Sequence, residues 1–131
     1  MRLESRSQTP QQLFEDIARQ LFSSLIDPRE VGTALREKVV VEGESLEQLM
    51  KELVVTLLDL VRLQHMVFSQ FRVIGFKTPE NSPYSLQAEA VGELLDPHRH
   101  SLSQDLAWLK CSDVQLRKEG EIYYAEIHLT Q

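Results

Sequence analysis

The chain has 131 residues, 42% of them hydrophobic and 26% charged, with 14 Lys and Arg against 20 Asp and Glu for a formal net charge of −6. This composition excludes a disordered or fibrous chain and predicts one compact domain over residues 1–131, burying about two-thirds of its extended surface without a metal or disulfide staple. The acidic balance argues against direct nucleic-acid binding, which calls for a basic stripe, and permits steering toward a basic protein surface or a cation; ordinary solubility selects the same balance.

The single cysteine, Cys111, can form no internal disulfide, which fits a reducing compartment and favours the cytoplasm. No run approaches the roughly 18 uninterrupted apolar residues of a membrane span, and the first residues carry no apolar stretch of signal-peptide length. Neither membrane insertion nor secretion is expected.

In chain order, Thr9-Pro10-Gln11-Gln12 reads as a helix start, with Thr9 as N-cap, Pro10 preset at the first helical position and Gln12 completing a capping box. Leu13, Phe14, Ile17, Ala18, Leu21, Phe22 and Leu25 recur at steps of three and four, and Asp27-Pro28 stops the run, so the first helix covers about residues 10 to 26. Lys38 to Glu42 is short and β-branched, the mark of a strand, and Gly43 turns out of it. Ser45 and Gln48 repeat the capping device. The stripe from Leu46 to Val61 is wider than that of the first helix and predicts a more buried second helix ending near Gln64.

Phe68 to Phe76 and Tyr84 to Val91 alternate as strands, joined by a polar connection from Lys77 to Pro83. Leu106 to Leu116 and Glu121 to Leu129 flank Arg117-Lys118-Glu119-Gly120 and read as a closing antiparallel hairpin, with Tyr123, Ala125, Ile127 and Leu129 on the core face of its last strand. A capped helix after a short strand-like segment occurs at Thr9 and again at Ser45. Two copies are too few for a solenoid, so the expected architecture is α+β, two helices on antiparallel or mixed sheets, in two related halves.

The loop Asp96-Pro97-His98-Arg99-His100 is the densest cluster of functional side chains. His-x-His can place two imidazoles on one cation if a carboxylate joins them. The competing reading is structural: Asp96 folds a turn, Arg99 pairs with a nearby carboxylate and one histidine bonds to backbone. A hydrolase using Asp96, His98 and His100 has no assignable nucleophile or oxyanion donors. Cys111 sits in a predicted strand with Lys110 on the opposite face, which suits an inert thiol. The five glycines are scattered and form no phosphate-binding or dinucleotide fingerprint. Trp108 and the Tyr123-Tyr124 pair fit either core packing or an interaction patch.

Val41-Glu42-Gly43-Glu44-Ser45-Leu46-Glu47-Gln48-Leu49, the long apolar helix after it and Phe68-Ser69-Gln70-Phe71-Arg72-Val73 resemble the archease family. Gly92-Glu93-Leu94-Leu95-Asp96-Pro97-His98-Arg99-His100 is similar to that family's Gly-Glu, two residues, Asp-Pro, a polar residue, Arg-His, and Thr9 to Phe14 resembles its first capped helix. The resemblance implies a small α+β accessory protein, not an enzyme, that assists the tRNA-splicing RNA ligase by promoting guanylylation of its active-site histidine and its turnover, using acidic residues and a bound divalent cation. It implies that Asp96, Arg99 and His100 form a partner-facing motif loop.

The departures from the family pattern concern the cation. Family members begin with His-Thr-Ala-Asp, whose Asp is a metal ligand, and this chain starts just downstream of that position. Thr130 stands where the family has a second metal-binding Asp, and a neutral hydroxyl does not replace a carboxylate on a hard cation. The family's Lys-Ala-x-Thr-Tyr-His corresponds to Ala107-Trp108-Leu109-Lys110-Cys111-Ser112. The expectation is a divergent member with no cofactor, or Ca²⁺ or Mg²⁺ should the family site survive, whose partner is an RNA ligase. The alternative is a non-catalytic interaction or structural module, forming a complex or homo-oligomer without metal.

Overall fold

The computed structural model describes residues 1–78, 83–102 and 109–130. Its elements follow in the order β1 (Arg2–Ser7), α1 (Pro10–Leu25), a single 3₁₀ turn (Pro28–Glu30), β2 (Leu35–Gly43), α2 (Leu46–Gln64), β3 (Met66–Lys77), β4 (Tyr84–Leu94), β5 (Lys110–Glu119) and β6 (Ile122–Thr130). Two three-stranded sheets result, β1-β6-β5 and β2-β4-β3, and every pairing in both is antiparallel, so the mixed option does not arise.

The two halves share one topology. In β2-α2-β3-β4 the last strand inserts between the other two, and in β1-α1 followed by β5-β6 the last strand does so again. Each half is therefore a split β-α-β with a third, reversed strand between the parallel pair. The second unit is inserted whole into the first, between α1 and β5, which is why the repeat is legible only in the two capped helices. Thr9 accepts from the Gln12 amide at 3.2 Å, and Ser45 accepts from the Gln48 amide at 3.1 Å. The Gln48 side chain reaches back to the Glu44 N–H at 2.6 Å, one residue before the cap.

Each helix lies on the first strand of its own unit and on the edge strand of the other, α1 on β1 and β3, α2 on β2 and β5. Both helices bury a full stripe, Leu13 to Leu25 on α1 and Leu49 to Val61 on α2. Phe22 ties the layers together, its ring 4.9 Å from that of Phe68 and 6.2 Å from that of Phe71. The exposed backbone of the edge strands is closed by helix side chains. Glu15 of α1 accepts from the Val73 N–H at 2.9 Å, and Glu47 of α2 accepts from the Leu116 N–H at 3.0 Å. Arg19 and Arg62 complete the two seams by donating to the Phe71 and Leu109 carbonyls.

Several expectations need adjustment. β1 was visible only as a strand-like segment; it pairs along its length with β6, Leu3 opposite Ile127. Strict alternation in β3 fails because Ser69 and Ile74 are extra residues in bulges, and the first of these brings both Phe68 and Phe71 onto the core. The hairpin turn is shorter than the expected Arg117 to Gly120: β5 runs to Glu119, and Gly120 (φ 61°) with Glu121 makes a two-residue loop. The core face of β6 is as expected, with Ala125, Ile127 and Leu129 buried. The proposed start of β5 at Leu106 falls partly on 103–108, outside the described residues, as does Trp108. Among the described residues no helix is long and apolar enough to cross a membrane.

One glycine is required by close approach. A Cβ at Gly92 would stand 1.9 Å from the Val67 carbonyl oxygen across the β3–β4 ladder, and backbone cannot yield as a side-chain tip can. Gly92→Ala is expected to cost at least about 3 kcal/mol, lowering the melting temperature by roughly 10 °C in a thermal denaturation scan.

Candidate functional site

The loop after β4 begins with two antagonistic requirements: Asp96-Pro97 must turn the chain, and the polar groups so gathered must find partners. Asp96 settles the turn through its side chain, Oδ1 accepting from the His98 N–H at 2.9 Å. Its backbone carbonyl accepts from the N–H groups of Arg99 and His100 at 3.0 and 2.7 Å. The result is a compact loop that points His100 inward, so that its side chain is wholly buried, and leaves Arg99 more than half exposed.

His100 is held at both ring nitrogens. The Asp96 N–H donates to Nδ1 at 2.8 Å, so Nδ1 is the acceptor and the proton belongs on Nε2, which donates to Glu93 Oε1 at 2.7 Å. The same Glu93 oxygen accepts from the Gly32 N–H at 2.9 Å and from the Arg99 guanidinium. Those donors, the Gly32 amide first and Arg99 next, hold the Glu93 carboxyl well below the usual range, at about 2. Gly32 suits this role because a Cβ there would meet the Glu93 carboxylate at 2.9 Å.

Asp96, Arg99 and His100 therefore come together, with Arg99 Nε 3.9 Å from Asp96 Oδ2, but the centre of the cluster is Glu93. Its signal was present in the sequence as the Gly-Glu six residues before Arg99. The family-like motif includes it, but a glutamate at a strand end is ordinary and the sequence assigned it no role. The arrangement is closed: Nδ1 and Nε2 of His100 are both engaged, which leaves neither nitrogen to ligate a metal or relay a proton. What it does is fasten the 95–100 loop to β4 and to the segment that leads into β2. His98, the other half of His-x-His, is exposed and is placed outside the cluster.

The second candidate location is the end of the β5-β6 ladder, where the family resemblance implies a cation. Thr130 lies directly opposite Lys110, so the ammonium shares a face with the neutral hydroxyl. Among the described residues no three His, Cys, Asp or Glu side chains converge to hold an ion. A hard cation requires several oxygen donors and gains most from anionic ones, and a lysine beside Thr130 offers the opposite. The described residues at this end of the ladder do not fit the group. Cys111 packs partly against the core, and burial pushes its thiol up, as expected of an inert cysteine. The Tyr123-Tyr124 pair divides between the two faces of the sheet: Tyr123 packs against the core under Lys118, and Tyr124 lies on the solvent side beside Arg117.

The lowered Glu93 carboxyl makes a pH prediction. A group depressed on folding contributes stability that is full above its unfolded value, near 4.5, and is lost as pH falls through about 2. Glu93→Gln should therefore melt below wild type at pH 6, and the gap should close as the pH is lowered from 4.5 toward 2. A gap that does not change with pH, read by thermal denaturation of both proteins, would contradict the assignment.

The archease protein family model (MTH1598/TM1083) matches residues 1–128. A protein archease of Pyrococcus abyssi is 32% identical over 108 residues, which cover 82% of this chain and 75% of that protein. The protein archease of Thermococcus gammatolerans is 34% identical over 110 residues, covering 84% and 76%. The solution structure of Methanobacterium thermoautotrophicum protein 1598 superposes with a TM-score of 0.76 at 18% identity, over 96% of this chain and 88% of that one, a likeness of fold. By the family-model match along nearly its full length and by its relatives' identity, this chain belongs to the archease family.

Proposed function

We propose that this protein is a cytoplasmic accessory factor of a tRNA-splicing RNA ligase, promoting guanylylation of the ligase's histidine and its repeated turnover rather than catalysing a reaction itself, and that it works without a resident cation. The observation that carries this reading is the match of the family model across residues 1–128. The net charge of −6 supports it, since a net-acidic protein is drawn to a basic, RNA-binding enzyme. The cation-free part rests on Thr130 and the lysine opposite it. The motif loop at Asp96, Arg99 and His100 contributes its outer side to the partner, and Glu93 keeps that side in shape. The chain itself is not expected to bind RNA as a polymer.

The alternative, a module that keeps the fold and only forms protein contacts, is favoured by the same replacement at Thr130, because a factor that has lost its chemistry keeps its scaffold. Two measurements separate these readings. Addition of the protein at equimolar ratio to the cognate ligase with GTP should accelerate formation of the guanylylated ligase. Unchanged guanylylation together with a stable complex by light scattering would leave the module reading. Calorimetric titration of the isolated protein with Ca²⁺ and with Mg²⁺ should show no micromolar binding, and such binding would overturn the cation-free part.

A further inference from the structure

The outer face of the β2-β4-β3 sheet is covered over only part of its length. At the Gly92 end the segment that follows α1 packs on it: Ile26 and Val31 cluster with Val67, and the Gly32 N–H donates to Glu93. Toward the other end the face opens, and Val40 and Ile74 are 52% and 53% exposed while Val31 and Val67 are buried. Two exposed aliphatic side chains alone mark nothing; what distinguishes these is the charge around them.

The register sets out that charge. Val39 and Val41 on β2, Leu86 and Ala88 on β4, and Phe71 on β3 face the core, so the residues alternating with them face out. Lys38, Glu89 and Arg72 stand side by side across the three strands, and Val40, Gln87 and Gly75 form the next row, with Ile74 in the bulge beside Gly75. Arg36 pairs with Glu89 at 2.6 Å. Lys38 and Arg72, on either side of that engaged carboxylate, are exposed, and their side chains make no ion pair or hydrogen bond among the described residues. The row beyond, Glu42, Ser85 and Lys77, carries one charge of each sign. On a chain of net charge −6 this face is locally positive, with four cations against two carboxylates.

Lys38 and Arg72 lie on the two outer strands, about 10 Å apart at the backbone, and the apolar row is about 7 Å along from them. Gly75 adds no side chain to that row, and a Cβ there would meet nothing closer than Gln87 Cβ at 3.6 Å, so the surface between Val40 and Ile74 is low and open. Phe68 and Phe71 are buried, and Phe76 and Tyr84 pack against the core, so these rings offer a nucleic-acid base nothing to stack on. An acidic protein segment, by contrast, uses both the cations and the aliphatic surface. We infer that this face docks an acidic segment of a protein partner, with one aliphatic side chain over Gly75 between Val40 and Ile74 and carboxylates on Lys38 and Arg72. The inference does not depend on the ligase reading.

NMR titration of the isotope-labelled full chain tests this with a synthetic peptide of Glu and Leu, its Gln-for-Glu and Ala-for-Leu counterparts, and a single-stranded RNA oligonucleotide. The Glu-Leu peptide is expected to bind at low salt with a Kd below about 1 mM, shifting the amides around Val40, Gln87 and Gly75 and leaving those of β1, β6 and β5 in place. Binding is expected to weaken at least about tenfold for either counterpart peptide and for the protein carrying Lys38→Gln and Arg72→Gln together. Both substitutions are of exposed side chains, and an unchanged melting temperature verifies that the variant is folded. No binding at about 1 mM, binding that the double variant retains in full, equal binding of the Ala-for-Leu peptide, or tighter binding of the RNA through the same residues overturns the inference.

Discussion

The structure depends on a reciprocal seam. Neither three-stranded unit can close its own sheet, and each lends its helix to the other: α1 lies on β3, and α2 lies on β5. An edge strand presents unpaired N–H groups that either meet water, recruit another strand or find a side chain. Here Glu15 takes the Val73 amide and Glu47 the Leu116 amide. Each is a hydrogen bond to a charged acceptor, of the class that contributes about 1.5–3 kcal/mol, and each is made across the boundary between units. The apolar stripes beneath supply most of the stability, but these bonds fix how one unit is seated on the other.

That seating explains where the Asp96–His100 loop ends up and what it does. β4 is the central strand of its sheet, and at its end Gly92 lets the β3 backbone approach as no other residue could. The next residue, Glu93, then points its carboxylate at the Gly32 amide, Arg99 and His100 together. The loop richest in functional side chains is thereby a fastening, with its buried histidine satisfied at both nitrogens. His98 and the exposed part of the paired Arg99 side chain lie at the surface.

Much of this was legible in the sequence, and the misses have physical causes. Capping boxes and apolar periodicity placed both helices because those signals are local. Alternation placed the last strand's core face for the same reason. The bulges in β3 were not legible: a bulge is defined by the partner strand, and Phe68 and Phe71 reveal it only once β4 lies beside them. Glu93 was missed because its partners are brought in from 61 residues upstream and from six and seven residues downstream by the fold.

A family scaffold with a lysine facing the position of an expected anionic ligand still has to hold its two units in register to present any surface to a partner. Amide hydrogen exchange tests that seating most directly. Val73 and Leu116 belong to edge strands, where unpaired amides exchange freely, and the seam predicts that both are protected nearly as well as the amides of the central strands β4 and β6. Rapid exchange at both positions, with β4 and β6 still protected, would contradict the reciprocal closure on which the account rests.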